Sequence, residues 1–208
     1  MFKLLVLSLT MLAGAGTALL ASEPQTPDAA LRSTVDQLVG NLKQHSAQYR
    51  KDQRSFYAMV DQVVVPRFDV PGIARFALGK HGRTATPDQR QRFADALALT
   101  LVHSYANVML DRYDSMILTW NPVRTEAGAD RVKIDTMLKG DAGEQYPVGF
   151  YVRRVDGDWK IYDLEIGGIS LALNYRAQLS AEIKRTSLEA AIGRMTKQDS
   201  QASAVSAL

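Results

Sequence analysis

The 208-residue sequence contains no cysteine and only three histidines, which are His45, His81 and His103. The absence of cysteine excludes disulfide bonds, thiol catalysis and thiolate metal sites. The histidines share no metal-ligand spacing such as His-x-x-x-His, so we expect no metal site and no metal cofactor. The fold must therefore be stabilised by its hydrophobic core, for which a composition of 46% apolar and 23% charged residues is sufficient.

The sequence also has no large excess of charge of one sign, because it contains 25 Lys and Arg residues and 22 Asp and Glu residues. A net charge of +3 is too weak to indicate a nucleic-acid-binding protein, although it is compatible with a basic patch that meets anionic lipid headgroups. The sequence also lacks the glycine-rich phosphate-binding loops and the G-x-S-x-G nucleophile elbow. These absences favour a binding protein over an enzyme.

Residues 1–21 have the pattern of a secretory signal peptide. Lys3 provides a positive start, the run from Leu4 to Leu20 carries no charge, and Ala21 is the expected last residue before cleavage. The alternative is a membrane anchor, since an apolar run of about 17 residues is at the low end of the length that spans a bilayer. The small residues that end the run favour cleavage, so we expect export to the periplasm.

The first half of the remaining chain has the apolar spacing of helices. We predict helices over residues 26–49, 52–63, 68–78 and 86–113. The clearest helix start is Thr86-Pro87-Asp88-Gln89, which has the form of a capping box with proline at the first helical position. The helix behind it carries apolar residues at intervals of four, which are Phe93, Leu97, Leu101, Tyr105 and Met109.

The second half changes to the alternation that is typical of strands. We predict strands over residues 116–123, 131–138, 146–152 and 159–166, joined by short turns, and then helices from Leu171 and Thr186. This order predicts an α+β fold in which a twisted four-stranded antiparallel sheet, a meander, is wrapped by several helices. We expect one domain over residues 22–198 and a flexible C-terminal tail over residues 199–208.

Two residues are candidates for a general base if the protein is a small enzyme with a cone-shaped pocket. His103 lies on the long amphipathic helix, and Asp135 lies on the second strand. No second catalytic group accompanies His103, and Arg131 and Lys133 share the strand face of Asp135. A histidine at the edge of the core and a polar sheet face are therefore the preferred interpretations.

Four segments, taken in order, carry a pattern known from one protein family. They are Phe68-Asp69 to Leu78-Gly79, Arg83 to Phe93, Asp158-Trp159-Lys160-Ile161-Tyr162-Asp163, and Gly168-Ile169-Ser170-Leu171 to Asn174-Tyr175-Arg176. Together they resemble the MlaC family of periplasmic phospholipid-binding proteins, from the toluene-tolerance and lipid-asymmetry pathway. The likeness extends over nearly the whole chain after residue 21. Lys80-His81-Gly82 departs from the family, which usually has aromatic residues in this loop.

The resemblance implies a function that the spacing does not show. Such proteins bind a phospholipid as cargo in an apolar cavity, need no cofactor, and have a fold that is NTF2-like in general shape. They shuttle the lipid between an outer-membrane lipoprotein–porin complex and an inner-membrane ABC transporter complex that carries an MCE-domain ring. The resemblance therefore implies a monomeric periplasmic carrier, not an enzyme, that maintains outer-membrane lipid asymmetry.

Three other functions stay open at this point. The protein could carry another lipid, such as a hopanoid or a sterol-like molecule, in the same fold. It could be the small enzyme that uses Asp135 or His103. It could also be an adaptor that binds envelope proteins without any ligand, in which case its core should be free of a cavity.

Apolar faces of the predicted helices and strands should line the lipid cavity, although each such residue would also serve as ordinary core. The candidates are Val63, Phe76, Leu97, Leu101, Tyr105, Met109, Leu118, Val132, Ile134, Val148, Phe150 and Ile161. Arg75, Lys80 and Arg83 are candidates for the rim of the cavity. Their long basic side chains suit contact with a lipid phosphate or an acidic partner surface.

Overall fold

The structure is a computed structural model that describes residues 26–205 except 124, 127 and 141, and the side chains of 102–104 and 198–205 are not among those described. Its helices are α1 Pro27–Tyr49, α2 Gln53–Val63, α3 Val70–Leu78, α4 Pro87–Arg112, α5 Leu171–Arg185 and α6 Leu188–Val205. Its strands are β1 Ile117–Trp120, β2 Arg131–Lys139, β3 Gln145–Val155, β4 Asp158–Ile166 and β5 Ile169–Ser170. The predicted signal peptide, residues 1–21, lies outside the described residues. The predicted domain end at residue 198 falls within α6.

The strands form one antiparallel sheet in the order β1-β2-β3-β4-β5. The predicted α+β meander is confirmed, but the predicted count of four strands is wrong by one. Gly167 and Gly168 adopt φ angles of 59° and 82°, which allow a tight turn that returns the chain alongside β4. Ile169 then pairs with Ile166 to form β5, where the sequence predicted only a break before a helix.

The sheet has one apolar and one polar face, as the alternation predicted. On β2 the side chains of Val132, Ile134 and Thr136 are buried, whereas those of Lys133 and Asp135 are exposed. Directly paired residues of neighbouring strands project to the same face. The register therefore extends the apolar inner face across the sheet, for example through Ile134, Phe150 and Leu164.

The long helix α4 begins at the predicted capping box. The Gln89 backbone N–H donates to Thr86 Oγ1 at 3.1 Å, and the Thr86 N–H donates to Gln89 Oε1 at 3.0 Å. α4 is long and apolar enough to cross a membrane by length and composition, but part of that apolar stretch is buried within the fold. Phe93 and Leu97 are fully buried against other helices, which makes α4 a core helix here.

A buried ion pair attaches α3 to the sheet. The Asp69 carboxylate lies at the N-terminus of α3 and accepts a hydrogen bond from the Gly72 N–H at 3.0 Å. It also forms an ion pair with Arg153 of β3. A Cβ at position 72 would lie 2.6 Å from Asp69 Cγ, so only glycine fits there. The Asp69 N–H donates to the Ile161 carbonyl of β4 at 2.8 Å. These contacts fix one end of α3 on the sheet.

The hydrophobic core is divided into three clusters. The first, here called the α3–α6 cluster, joins α3, α4, α5 and α6 and includes Ile73, Leu78, Phe93, Leu97, Leu179 and Ile192. The second, the α1–α2 cluster, joins α1, α2 and the second half of α4 and includes Leu38, Leu42, Phe56, Val60, Ala106 and Leu110. The third, the sheet cluster, joins the start of α1 to the inner face and includes Leu31, Val132, Ile134, Val152, Trp159 and Ile161. Among the described side chains, α4 contributes no residue to the sheet cluster.

Candidate functional site

The apolar stripe of α4 changes from buried to exposed along the helix. Phe93 and Leu97 are fully buried in the α3–α6 cluster, and Leu101 is half-buried at its edge. One and two turns further on, Tyr105 is 45% exposed and Met109 is 43% exposed. The stripe therefore leaves the core while it is still apolar.

A different face of the same helix segment contacts the α1–α2 cluster. Ala106 and Leu110 are buried there, each one position after Tyr105 and Met109. Successive residues of an α-helix are separated by about 100° around its axis, so these two pairs project in different directions. The second half of α4 thus has one apolar face that is covered and another that is open.

The inner face of the sheet has the same division. At one end Val132, Val152 and Ile161 are buried with Leu31 of α1 in the sheet cluster. Toward the other end the paired residues Leu138 and Tyr146 are only half-buried and exposed, respectively. Leu138 and Tyr146 of the sheet, like Tyr105 and Met109 of α4, are therefore only partly covered by the described part of the protein.

The predicted lining residues are distributed over all three clusters and their margins. Leu97, Val132, Ile134, Val148 and Ile161 are buried, Val63, Leu101, Leu118 and Phe150 are half-buried, and Phe76, Tyr105 and Met109 are exposed. Phe150 stacks on Trp120 with ring centroids 6.0 Å apart. The structure brings Val132, Ile134 and Ile161 together in the sheet cluster but separates them from Leu97, so contact with lipid stays a prediction for all twelve.

Two surface clefts also border α4. One, of about 270 Å³, lies between α2 and α4 beside Arg50 and Asp111. The other, of about 500 Å³, lies between α4 and α6 beside Leu99 and Ile192. Neither cleft is lined by a predicted lipid-contacting residue.

The predicted rim residues Arg75, Lys80 and Arg83 are all exposed on α3 and the short turn Gly79–Arg83 that follows it. Sequence reasoning missed a fourth basic residue of this region. The Arg176 guanidinium of α5 lies over the Phe76 ring, with Cζ 5.0 Å from the ring centroid. Arg176 is 100 positions from Phe76 in the chain, so only the packing of α3 on α5 brings them together.

The candidate base Asp135 does not lie in a pocket. Its carboxylate is on the exposed outer face of the sheet and forms an ion pair with Lys133 Nζ at 3.2 Å. The pocket environment that the enzyme hypothesis required of Asp135 is thus not present, and the polar-face interpretation is correct. The side chain of His103, the other candidate, lies outside the described residues.

Lys133 also connects Asp135 to a small polar network on the outer face. Glu165 accepts hydrogen bonds from the Tyr151 hydroxyl at 2.9 Å and from Lys133 Nζ at 3.1 Å. The bond from Tyr151, and to a smaller extent that from Lys133, lowers the pKa of Glu165. The bond to Glu165 in turn raises the pKa of Lys133. The partners satisfy one another on a solvent-facing surface, which is typical of a structural network.

No cluster of three His, Asp or Glu side chains that could hold a metal ion occurs within the described part of the chain. The candidate site consists instead of partly exposed apolar residues of α4 and of the sheet. Fold and site together define a class of small α+β protein with an antiparallel sheet and a long helix. Each has a partly exposed apolar face, and the helix contributes no described side chain to the core beneath the sheet.

Comparison with known proteins identifies the family. Residues 32–197 match the MlaC protein family, and the chain belongs to that family. The chain is 29% identical over 168 residues to the toluene tolerance protein ttg2D of Pseudomonas putida, which covers 80% of this chain and 77% of that protein.

A solved structure has the same fold. It is the phospholipid-binding protein of Ralstonia solanacearum in complex with a phospholipid, and the TM-score is 0.77 at 23% identity. The alignment covers 86% of this chain and 99% of that one.

Proposed function

We propose that the protein is a periplasmic carrier that binds a phospholipid by its acyl chains and shuttles it between outer- and inner-membrane complexes to maintain outer-membrane lipid asymmetry. The observation that carries this proposal is the open apolar face of α4, with Tyr105 and Met109 exposed and no α4 side chain in the sheet cluster. A lipid tail between α4 and the sheet would supply the apolar contacts that the protein lacks there. Membership of the MlaC family, and a structural neighbour described with bound phospholipid, support the same proposal.

Apolar surface is sufficient for this kind of binding. Each buried CH₂ group contributes roughly 0.8 kcal/mol, so two acyl chains are held firmly without directional polar groups. Because the tails supply most of the affinity, broad tolerance of headgroups follows. The phospholipid is the cargo of the protein, and the function requires no cofactor. The partly exposed residues proposed to contact it, such as Tyr105 and Met109, are apolar or aromatic.

Export and partners belong to the same proposal. Residues 1–21 act as a signal peptide, residues 22–198 form the lipid-binding domain, and the carrier works as a monomer. It exchanges lipid with an outer-membrane lipoprotein–porin complex and with an inner-membrane ABC transporter complex that carries an MCE-domain ring. Family membership supports these partners, and the exposed Arg75, Lys80 and Arg83 would serve at the rim.

Native mass spectrometry of the exported protein, with lipid extraction from the same sample, tests the carrier function. We expect a stoichiometric adduct at the mass of a phospholipid, and the extract identifies it. An adduct of another lipid class would favour the hopanoid or sterol-like carrier. If the protein shows no adduct even after incubation with phospholipid vesicles, the carrier proposal is wrong.

A further inference from the structure

The exposed surface of α3, the turn Gly79–Arg83 and α5 has an unusual charge pattern. Residues 70–87 and 166–181 contain no Asp or Glu, and they contribute Arg75, Lys80, Arg83 and Arg176. The two segments are neighbours because α3 packs on α5. These segments thus contribute four cations and no acid, although the whole chain has a net charge of only +3. The carboxylate of Asp163 on β4 contacts the start of α5, where it accepts hydrogen bonds from the Ser170 hydroxyl and the Ala172 N–H.

The acidic residues that flank these two segments do not neutralise them. Asp69, Asp88, Glu165 and Glu182 stand immediately or almost immediately outside the segments, and each is engaged in an ion pair with a cation that lies elsewhere. The pairs are Asp69–Arg153, Asp88–Arg92, Glu165–Lys133 and Glu182–Arg194. Within the described residues, Arg75, Lys80, Arg83 and Arg176 have no carboxylate within ion-pair distance, so their charge is available to a partner.

Large apolar side chains project from the same surface. Ile169 is 60% exposed and Leu173 is 58% exposed, and Phe76 is exposed beneath the Arg176 guanidinium. Leu173 and Arg176 are three positions apart on α5, so they lie on one side of the helix. Exposed aliphatic and aromatic side chains among long basic ones are the pattern of proteins that bind the surface of an anionic bilayer.

This surface is continuous with the proposed lipid site. Ile169 pairs with Ile166, and Ile166 pairs with Val148 on β3. Directly paired residues share a face of the sheet, so a row of apolar side chains connects the exposed Ile169 with the inner face. A lipid that leaves the inner face along this row arrives at the basic surface.

We propose that the surface formed by α3, the turn Gly79–Arg83 and α5 docks directly on an anionic phospholipid bilayer, with Phe76, Ile169 and Leu173 entering the headgroup region. The proposal rests on the proposed function and extends it, because it adds a direct contact with the bilayer to the exchange of lipid with the two membrane complexes. An acidic protein surface with an apolar centre is the alternative occupant, and the experiment below distinguishes it from a bilayer.

Vesicle flotation tests this docking. The exported protein is mixed with vesicles of phosphatidylcholine alone or of phosphatidylcholine with phosphatidylglycerol. We expect it to float only with the anionic vesicles and to be released as the salt concentration rises. Because each basic residue at an anionic surface contributes about fivefold to partitioning, the triple substitution Arg75→Gln, Lys80→Gln, Arg83→Gln should weaken binding on the order of 100-fold.

A matched variant separates this surface from net charge. The triple substitution Lys43→Gln, Lys51→Gln, Arg54→Gln removes the same charge from exposed positions on and beside α1 and α2, and it should bind anionic vesicles like the wild type. Leu173→Ser, at an exposed position, should weaken binding without changing the net charge. Equal loss in the two triple variants, or binding only to an acidic protein partner, would overturn the proposal.

The two proposals fail in distinguishable ways. A protein that carries lipid in native mass spectrometry but does not float with anionic vesicles contradicts the docking surface and leaves the carrier function standing. A protein that floats with anionic vesicles but never acquires lipid from them supports the docking surface and contradicts the carrier function.

Discussion

At the scale of single residues, the buried polar groups serve the construction of the fold. Thr34, Asp69 and Thr136 are the buried polar residues of the described part of the chain. The Thr34 hydroxyl donates to the Ala30 carbonyl at 3.1 Å, and that of Thr136 donates to the Val148 carbonyl at 2.9 Å. Asp69 holds α3 against β3. Each of these three residues has an internal partner, and these bonds stabilise the fold.

The Asp69–Arg153 pair should contribute strongly to stability. Replacement of Asp69 by Ala removes the N-cap of α3 and leaves the Arg153 guanidinium largely buried without its partner, so we expect a loss of about 2–3 kcal/mol in the free energy of unfolding. Chemical denaturation measures this loss. The control is Asp158→Ala, because Asp158 is 72% exposed and lies 3.9 Å from Lys160. A surface pair of this kind contributes at most about 1 kcal/mol, and equal losses in both variants would contradict the assignment.

At the scale of secondary-structure elements, most of the fold could be predicted because local chemistry determines it. The capping box at Thr86 and the alternation along β2 are properties of adjacent residues, and both predictions were correct. The strand β5 could not be predicted, since two residues after Gly167 and Gly168 have no periodicity of their own. The role of Arg176 was missed for a related reason, because its contact with Phe76 depends on tertiary packing.

The exposure of Tyr105 and Met109 shows the limit of periodicity more clearly. Spacing at intervals of four identifies the apolar face of a helix, but it does not reveal whether another element covers that face. Phe93 and Met109 belong to the same pattern in the sequence, and yet Phe93 is fully buried and Met109 is 43% exposed. What differs between them is the set of neighbouring helices.

The capping box at the start of α4 gives a prediction for this element. Thr86→Ala removes the acceptor of the Gln89 N–H, so we expect the free energy of unfolding to fall by about 1 kcal/mol. Thr86→Ser keeps a hydroxyl at the cap and should restore most of the loss. The midpoint of urea denaturation compares the three proteins, and an alanine variant as stable as the serine variant would show that the cap contributes nothing.

At the scale of the whole molecule, the buried apolar residues of the described part of the chain form three clusters, and Phe68 packs against two of them, the α3–α6 cluster and the sheet cluster. The α3–α6, α1–α2 and sheet clusters each stabilise a part of the fold. The apolar faces of α4 and the sheet that remain open are the surfaces that the proposed cargo would cover. A bound lipid would therefore cover apolar surface that the core of the protein leaves exposed.

Substitutions on the open face should therefore separate lipid binding from folding. In Tyr105→Asp combined with Met109→Asp, we expect loss of the lipid adduct in native mass spectrometry, because two carboxylates would face the acyl chains. The lipid-free variant should still fold, with a loss of about 1–2 kcal/mol relative to the lipid-free wild type, because both side chains are partly exposed but two carboxylates four positions apart near the end of α4 destabilise the helix.

Leu99→Asp provides the control for this pair. Leu99 is also an exposed apolar residue of α4, but it lies in the cleft against Ile192 of α6 and so on a different side of the helix. The Leu99 variant should keep its lipid. If all three carboxylate substitutions leave the adduct intact, the open face of α4 is not the lipid site.

The division of the core also bears on which acyl chains the protein accepts. A ligand pocket cut into a single packed core has a fixed volume, and a longer or kinked chain would have to displace well-packed side chains. Here α4 contributes no described side chain to the sheet cluster, so an acyl chain on its partly open face would lie on a surface and not in a closed volume. A longer chain would then cover more of that surface without displacing buried side chains. We therefore expect this protein to accept acyl chains of different length and unsaturation.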